Sequence, residues 1–496
     1  VVTRGPYLQN GSPTNIVVRW RTDAPTDSRV RFGVSVDGLT SFADHATNTI
    51  EHEVNLTGLT PDTRFFYSVG TTTDTLAGGD TNHFFTTAPV PGTPKPTRIW
   101  AIGDFGWGNI RQVAVRDAYE SFTRDRHTDL WLMLGDNACE SGSDAEYQAN
   151  VFNIYTNLFR QSVAWPTLGN HDAKTVTPGG SHPYFDIFTL PQNGEAGGFP
   201  SGSEHFYSFD HGNIHFICLD SIESNRTVNG PMYAWLTNDL AQVTADWTIA
   251  YWHHPPFNLD TDPIARGMRE VFLPVLEQGG VDVVLLGHIH SYLRTYLLDG
   301  YYAGWSQFNS TNILDAGSGR ENETGPYRKP GPGPIPHQGT VYVIVGSSAE
   351  VTPVPDPLHP AFPVIQNKLG SLVLDIAGDR LDATFISSTG TTNDYFTIFK
   401  TNAPPVLAPI ADQVVEANQA LVLTNLATDY LRPGEQLHFE LLSAPAGAHL
   451  CNLPPTHAVF SWVPTCAQGG TTNLITLQVS DGGTPPLTQC RLGIQA

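Results

Sequence analysis

Arg98-Ile-Trp-Ala-Ile-Gly-Asp-Phe-Gly106 reads as an apolar strand that breaks at a glycine and delivers a carboxylate. The pattern returns with Leu130-Trp-Leu-Met-Leu134 running into Gly135-Asp-Asn-Ala138. Three more motifs follow in order, each just after an apolar strand: Gly169-Asn-His-Asp172, Trp252-His-His-Pro255 and Gly287-His-Ile-His290. Glycine lets the backbone turn sharply at such a point and approach a ligand closely. Strand ends in a sheet covered on both faces send their loops to one rim, so these five groups can converge.

Working outward, strands and helices alternate from Thr97 to about Lys400. Arg98–Ile102 and Leu130–Leu134 read as strands and Arg111–Phe122 has helical spacing. Pro231–Val243 is amphipathic, Thr248–Trp252 extended, Ile264–Gln278 helical and Val281–Leu286 extended. That alternation predicts an α/β domain over residues 94–400. Tyr301–Pro336, rich in Gly, Asn and Pro, is expected to be a long surface loop near the site. Residues 1–93 show short alternating strands, Ile16–Trp20, Arg29–Phe32 and Arg64–Val69, which predict a β-sandwich. Ala88-Pro-Val-Pro-Gly-Thr-Pro-Lys-Pro96 cannot continue a sheet and reads as a linker. Residues 401–496 return to strands and turns after Asn402-Ala-Pro-Pro405, predicting a third, all-β domain.

Composition bounds the function. A length of 496 residues calls for several domains, and a 40% hydrophobic share supports real cores. A net charge of −22 argues against nucleic acid and anionic membrane surfaces as partners. No stretch reaches the roughly 18 apolar residues of a membrane span. Three of the five cysteines, Cys451, Cys466 and Cys490, cluster near the end of the chain. They predict one disulfide and an oxidising compartment, with the pairing left open. The first residue, Val1, is what a processed, exported chain would show, so a secreted, periplasmic or cell-surface location is expected.

The residue types in the five motifs suit two adjacent metal ions. A carboxylate bridges two ions, imidazoles hold zinc, iron or manganese, and a neutral amide adds a ligand without adding charge. His288 and His290 are two apart, so in a regular strand both would point the same way.

Together the motifs resemble the calcineurin-like metallophosphoesterases, whose fold stacks two β-sheets between helices in four layers. Asp104-Phe-Gly106 matches the Asp-x-Gly form of the purple acid phosphatases, and the N-terminal segment resembles their fibronectin type III-like domain. The resemblance covers residues 1 to about 400. It implies that Asp104 and His290 bind the first metal, that Asp136 bridges, and that Asn170, His253 and His288 bind the second. His171 is then the group that faces the substrate phosphate, as an electrostatic or proton-donating partner. His254 either faces substrate too or hydrogen-bonds a ligand. Asp172 is grouped with these catalytic residues as one that orients neighbouring ligands. Tyr292 and Arg294 either line the pocket or pack in the core.

The implied reaction is hydrolysis of a small phosphate ester, with a metal-activated water attacking phosphorus in line. Monoesters are the first expectation, diesters or nucleotides the second. A binding protein with an inactive phosphoesterase domain is the rival of another class. Cys139 stands where the purple enzymes carry the tyrosine that colours them. Its side chain is too short to take over that bond unless the loop moves inward, so a packed, unligated thiol is expected and a ferric ion is not. The C-terminal segment resembles immunoglobulin- or cadherin-like modules. Asp429 and Glu435 alone stand in the turn where such modules bind calcium, so no calcium is expected there.

Overall fold

The computed structural model describes residues 1–257, 262–354, 359–402, 404–429 and 436–481, and the backbone of 488–495. Val1–Tyr327 with Pro336–Phe399 forms one compact unit, and Arg328–Ile335 with Lys400–Ala496 a second.

The first unit contains two mixed sheets whose parallel cores carry the five motifs. In one, the strand Thr97–Ile102 pairs in parallel with Leu130–Met133, and that strand with Val163–Pro166. Gly370–Ala377, Arg380–Ser387 and Thr392–Asn402 extend the other edge antiparallel. In the second sheet Ile214–Cys218, Trp247–Trp252, Val283–Leu286 and Val341–Val345 run parallel in that order. The antiparallel strands Tyr207–His211 and Tyr292–Arg294 flank them.

Alternation assigns each side chain to a layer, because successive residues of a strand face opposite ways. Leu285 and Val343 join Leu132 and Leu372 in one core, while Val284, Leu286 and Ile344 pack with Trp235, Leu236 and Phe272 of the covering helices. Helix Ile110–Thr123 covers the first sheet, where Tyr119 stacks on Trp100 at 4.3 Å. The central strands are buried on both faces, which is why they read as unbroken apolar runs.

Three expectations change in detail. Ile16–Trp20 and Arg29–Phe32 belong to a single strand, Ile16–Gly33, that pairs with Ser41–Leu56 and shifts register between Arg21 and Ser28. The polar, Pro-containing stretch between them continues the strand. His52 spans the register shift, 2.8 Å from both the Thr22 and Ser28 hydroxyls and stacked on buried Trp20. Ile264–Gln278 is helical throughout but widens into a π-helical turn at Met268–Phe272. The expected surface loop 301–336 holds strands at Ile313–Asp315 and Tyr327–Gly331, and its residues 328–335 group with the second unit.

The sandwich at the N-terminus is fixed to the α/β region by buried polar contacts. Tyr7 Oη and Arg19 Nη1 both donate to the Ile187 carbonyl, at 2.8 and 2.6 Å. The second unit contains a sheet of Val406–Leu407, Leu421–Thr428, His457–Trp462 and His449–Leu453, and another of His438–Ser443, Leu474–Ser480 and Thr488–Gln495. Cys451 and Cys466 are exposed free thiols, which corrects the expected disulfide: every pair among the three cysteines needs one of them. Sequence clustering brought these thiols close along the chain but could not bring the sulfurs together. Of the two acidic residues weighed for calcium, Glu435 lies outside the described residues. Among the described residues no helix is long and apolar enough to cross a membrane.

Trp100 is fully buried between Tyr119 and Trp131. Trp100→Ala should cost the first unit about 3–5 kcal/mol, read as a lower urea midpoint in its unfolding transition.

Candidate metal centre

The five loops converge at the C-terminal ends of the parallel strands, and their backbones are unusual there. Asp104, Asp136 and His288 take φ values of 55°, 51° and 69°, a left-handed conformation that non-glycine residues seldom adopt. The turns bring loops into close contact. A Cβ on Gly169 would stand 1.9 Å from the Asp136 nitrogen, so only glycine lets the two loops meet.

Donor atoms face one another across the resulting cleft. Asp104, Asp136 and His253 are buried, and one ligand atom from each lies within 4.8 Å of the others. Asn170 Oδ1 lies 3.0 Å from both His253 Nε2 and His288 Nδ1. Asp136 Oδ2 is 3.4 Å from His253 Nε2, and Asp104 Oδ1 is 3.4 Å from His290 Nε2. The backbone N–H of His288 donates to Asp104 Oδ2 at 2.7 Å, and that of His171 to Asp136 Oδ1 at 2.7 Å.

These contacts are suited to a cation. The Leu134 carbonyl accepts from His253 Nδ1 at 2.9 Å, so in the neutral ring Nε2 carries a lone pair. That lone pair confronts the amide oxygen of Asn170 and the carboxylate of Asp136, an arrangement of acceptors satisfied by a bound cation or by a proton on Nε2. Asp104 Oδ1 is buried and has no hydrogen-bond partner, as an oxygen kept for a metal would be. Burial opposes charge on His253, yet the Asp136 carboxylate pushes it up to about 9. Burial also opposes the charge on Asp136, but His253 holds its carboxyl well below the usual range. Burial and then the charge of His253 push His288 down to about 4.

All six expected ligands therefore share one cluster, while the adjacent residues divide. His171 Nε2 lies 3.8 Å from Asp136 Oδ2 at the edge of the cleft, and the Trp107 and His171 ring centres are 5.9 Å apart. His254 is buried against His288, with ring centres 4.2 Å apart, and its Nδ1 lies 3.1 Å from the Ser221 hydroxyl. Burial, then His253 and His288, push His254 down to about 2, so its ring is neutral and cannot serve as a standing acid. Asp172 is fully buried behind the ligands, where its carboxylate accepts from Asn137, Ala138, Gly169 and Tyr147. It orients loops and does not meet substrate.

Histidine separation within the last motif differs from strand geometry. The strand ends at Leu286, and the left-handed turn at His288 sends its ring to Asn170 while His290 reaches Asp104. Cys139 is buried, and its thiol faces the Asp136 carbonyl at 3.7 Å. Burial and then the carboxylates of Asp136, Asp172 and Asp104 push that thiol far up.

Tyr292 and Arg294 do not line the cleft, which corrects the pocket reading of them. Both are fully buried, and both donate to Asp394: Tyr292 Oη at 2.8 Å, Arg294 Nε at 2.7 Å and Nη2 at 3.0 Å. The strand Tyr292–Arg294 is already inside the sheet, so alternation turns these side chains into a core. Three contributors escaped the sequence reading: Leu134 through its carbonyl, Ser221 beside His254, and Trp107. Trp107 and Leu134, next to the first and second motifs, carried a positional signal, and Ser221 carried none.

Comparison with known proteins follows the geometry. Residues 97–292 match the family model for the calcineurin-like phosphoesterases, and residues 4–87 match that for the purple acid phosphatase N-terminal domain. The chain thus carries a calcineurin-like phosphoesterase domain preceded by a purple acid phosphatase N-terminal domain. Purple acid phosphatase 1 of Ipomoea batatas is 27% identical over 301 residues, covering 58% of this chain and 60% of that protein. The chain thus spans about 60% of the length of that relative. Acid phosphatase type 7 of Mus musculus is 25% identical, over 68% of this chain and 76% of that protein. Among solved structures, the yellow lupin purple acid phosphatase PPD1 superposes with a TM-score of 0.62 at 16% identity, over 81% of this chain and 75% of that one. That likeness supports the metallophosphoesterase fold.

Removing Arg294 leaves a buried carboxylate with one fewer partner. Arg294→Met should cost about 3–5 kcal/mol while leaving KM for an aryl phosphate unchanged in the protein that remains folded. A raised KM without loss of stability would return Arg294 to the pocket.

Proposed function

We propose that this chain is an exported phosphatase that hydrolyses phosphate monoesters at a two-metal centre. Asp104 and His290 would hold one ion, Asn170, His253 and His288 the other, and Asp136 would bridge them. The observation that carries this reading is the acceptor-against-acceptor contact of His253 Nε2 with Asn170 and Asp136, beside the unpartnered Asp104 oxygen. Bound ions there supply Lewis acidity and the positive charge an anionic ester needs in so acidic a chain.

The residues of the chain do the rest. Left-handed turns at Asp104 and Asp136 aim the carboxylates inward, and Leu134 holds His253 with Nε2 toward the centre. Nε2 of His171, at the edge of the cleft, is the ring nitrogen nearest an incoming phosphoryl oxygen and donates to it when protonated. Neutral His254 acts through its contacts with His288 and Ser221. The free thiols Cys451 and Cys466 remove the disulfide from the case for export. The second unit is read as an immunoglobulin- or cadherin-like module.

Phosphate release from a monoester panel, with metal content by mass spectrometry, tests this directly. Asp136→Asn should abolish turnover and lower metal content, because one charge shared by two ions is lost. Full activity in that variant overturns the mechanism. Cys139→Ser should leave metal content and turnover largely intact. His171→Ala should keep the metals and lower kcat by roughly 10²-fold, the lower range for a positioned acid–base or donor group. Metal loss in His171→Ala would make His171 a ligand.

A further inference from the structure

His171 is held by a short loop whose geometry depends on one carboxylate. Its Nδ1 lies 2.7 Å from the Glu140 carbonyl oxygen. Lys174 Nζ is also near, 2.9 Å from Nδ1 but only 3.5 Å from Nε2. A donor in line with the Nδ1 lone pair would stand much farther from Nε2 than from Nδ1. The near-equal distances place the ammonium over the ring face, so the in-plane partner of Nδ1 is the carbonyl. A carbonyl can only accept; therefore Nδ1 carries the hydrogen and Nε2 is the ring nitrogen presented to the cleft. Lys174 Nζ donates to the same oxygen at 3.1 Å, which occupies its second lone pair.

That carbonyl is positioned from behind. Glu146 accepts from the Glu140 nitrogen at 2.7 Å, from the Ser141 nitrogen and hydroxyl at 3.1 and 2.7 Å, and from the Ser143 nitrogen and hydroxyl at 3.0 and 2.9 Å. One carboxylate thus gathers the donors of residues 140, 141 and 143 and fixes the direction of the intervening peptides. Burial opposes its charge, but these hydrogen bonds, led by that of Ser143, hold its carboxyl down at about 2. The far side is pinned as well, where the Thr175 nitrogen and hydroxyl donate to the Ser141 carbonyl at 3.0 and 2.7 Å. None of the six proposed metal ligands touches Glu146 in these contacts.

We propose that Glu146 is a positioning residue for His171, fixing the Glu140 carbonyl against Nδ1 so that Nε2 alone faces the phosphoryl group. The catalytic consequence rests on the assignment of His171 as the substrate-facing group. The tautomer does not.

Two measurements test it on the full chain. In metal-free protein with 15N-labelled histidine, the His171 signal, assigned by its loss in His171→Ala, should show protonated Nδ1. Glu146→Gln should weaken that preference while metal content stays at the wild-type level. An Nε2-protonated ring in the wild type, or an unchanged tautomer in Glu146→Gln, overturns the proposal. In metal-loaded protein Glu146→Gln should lower kcat by roughly 10-fold, less than deleting a preorganised donor outright, with little change in KM. Added to His171→Ala it should cost nothing further, since a residue acting through another has no effect once that one is gone. Multiplying losses overturn the positioning role. If Glu146→Gln does not fold, Ser141→Ala removes one donor and should give a smaller step in the same direction. A wild-type kcat in His171→Ala would sink the functional reading of His171 instead, and the tautomer measurement would still decide the role of Glu146.

Discussion

The buried carboxylate of Asp172 is the contact on which the site depends. It accepts from the Asn137 nitrogen and side-chain amide, the Ala138 and Gly169 nitrogens and the Tyr147 hydroxyl. The backbone and amide donors belong to the two loops that carry Asp136 on one side and Asn170 with His171 on the other. Burial, and then repulsion from Asp136, push its carboxyl up to about 6, so keeping it ionised is costly. Five converging donors offset that cost and make the distance between the loops a fixed quantity. Tyr147 brings a third segment, the helical turn after Glu146, into the same bond network.

Backbone conformation then does what side-chain choice cannot. Asp104, Asp136 and His288 each sit in a left-handed turn at the end of a buried strand. Such strain persists only where the surroundings over-determine it. Here the surroundings are two sheets whose strands are apolar on both faces, so the chain has no room to relax sideways. The strained turns point two carboxylates and an imidazole at one spot and leave Asp104 Oδ1 without a partner. An acidic chain thereby prepares a place for positive charge.

The same chemistry is used elsewhere for packing alone. Buried Arg294 and Tyr292 and half-buried Arg320 converge on the buried Asp394. His215 is held between Asp210 and Asp239 at 2.7 and 2.9 Å. Ionisable residues near a motif are therefore weak guides to function until their partners are known. His215 has two carboxylates to balance a proton, whereas His253 also faces the amide oxygen of Asn170, beside an Asp104 oxygen that has no hydrogen bond.

The sequence by itself determined most of the order of strands and helices and singled out the six residues that the structure gathers at one cleft. It could do so because these features are local. An apolar run ending at Gly-Asp or Gly-His is both the strand and its terminal ligand. Tertiary structure decided what depends on residues far apart in the chain. It set His254 against Ser221 and withdrew Tyr292 and Arg294 into a core with Asp394. It left Cys451 and Cys466 unbonded and joined Thr22, Ser28 and His52 across a shift in strand register. It also gave Glu146 its hold on the loop before His171. Each of these is a hydrogen bond, ion pair or thiol spacing set by the relative placement of loops, and no periodicity in the sequence encodes that placement.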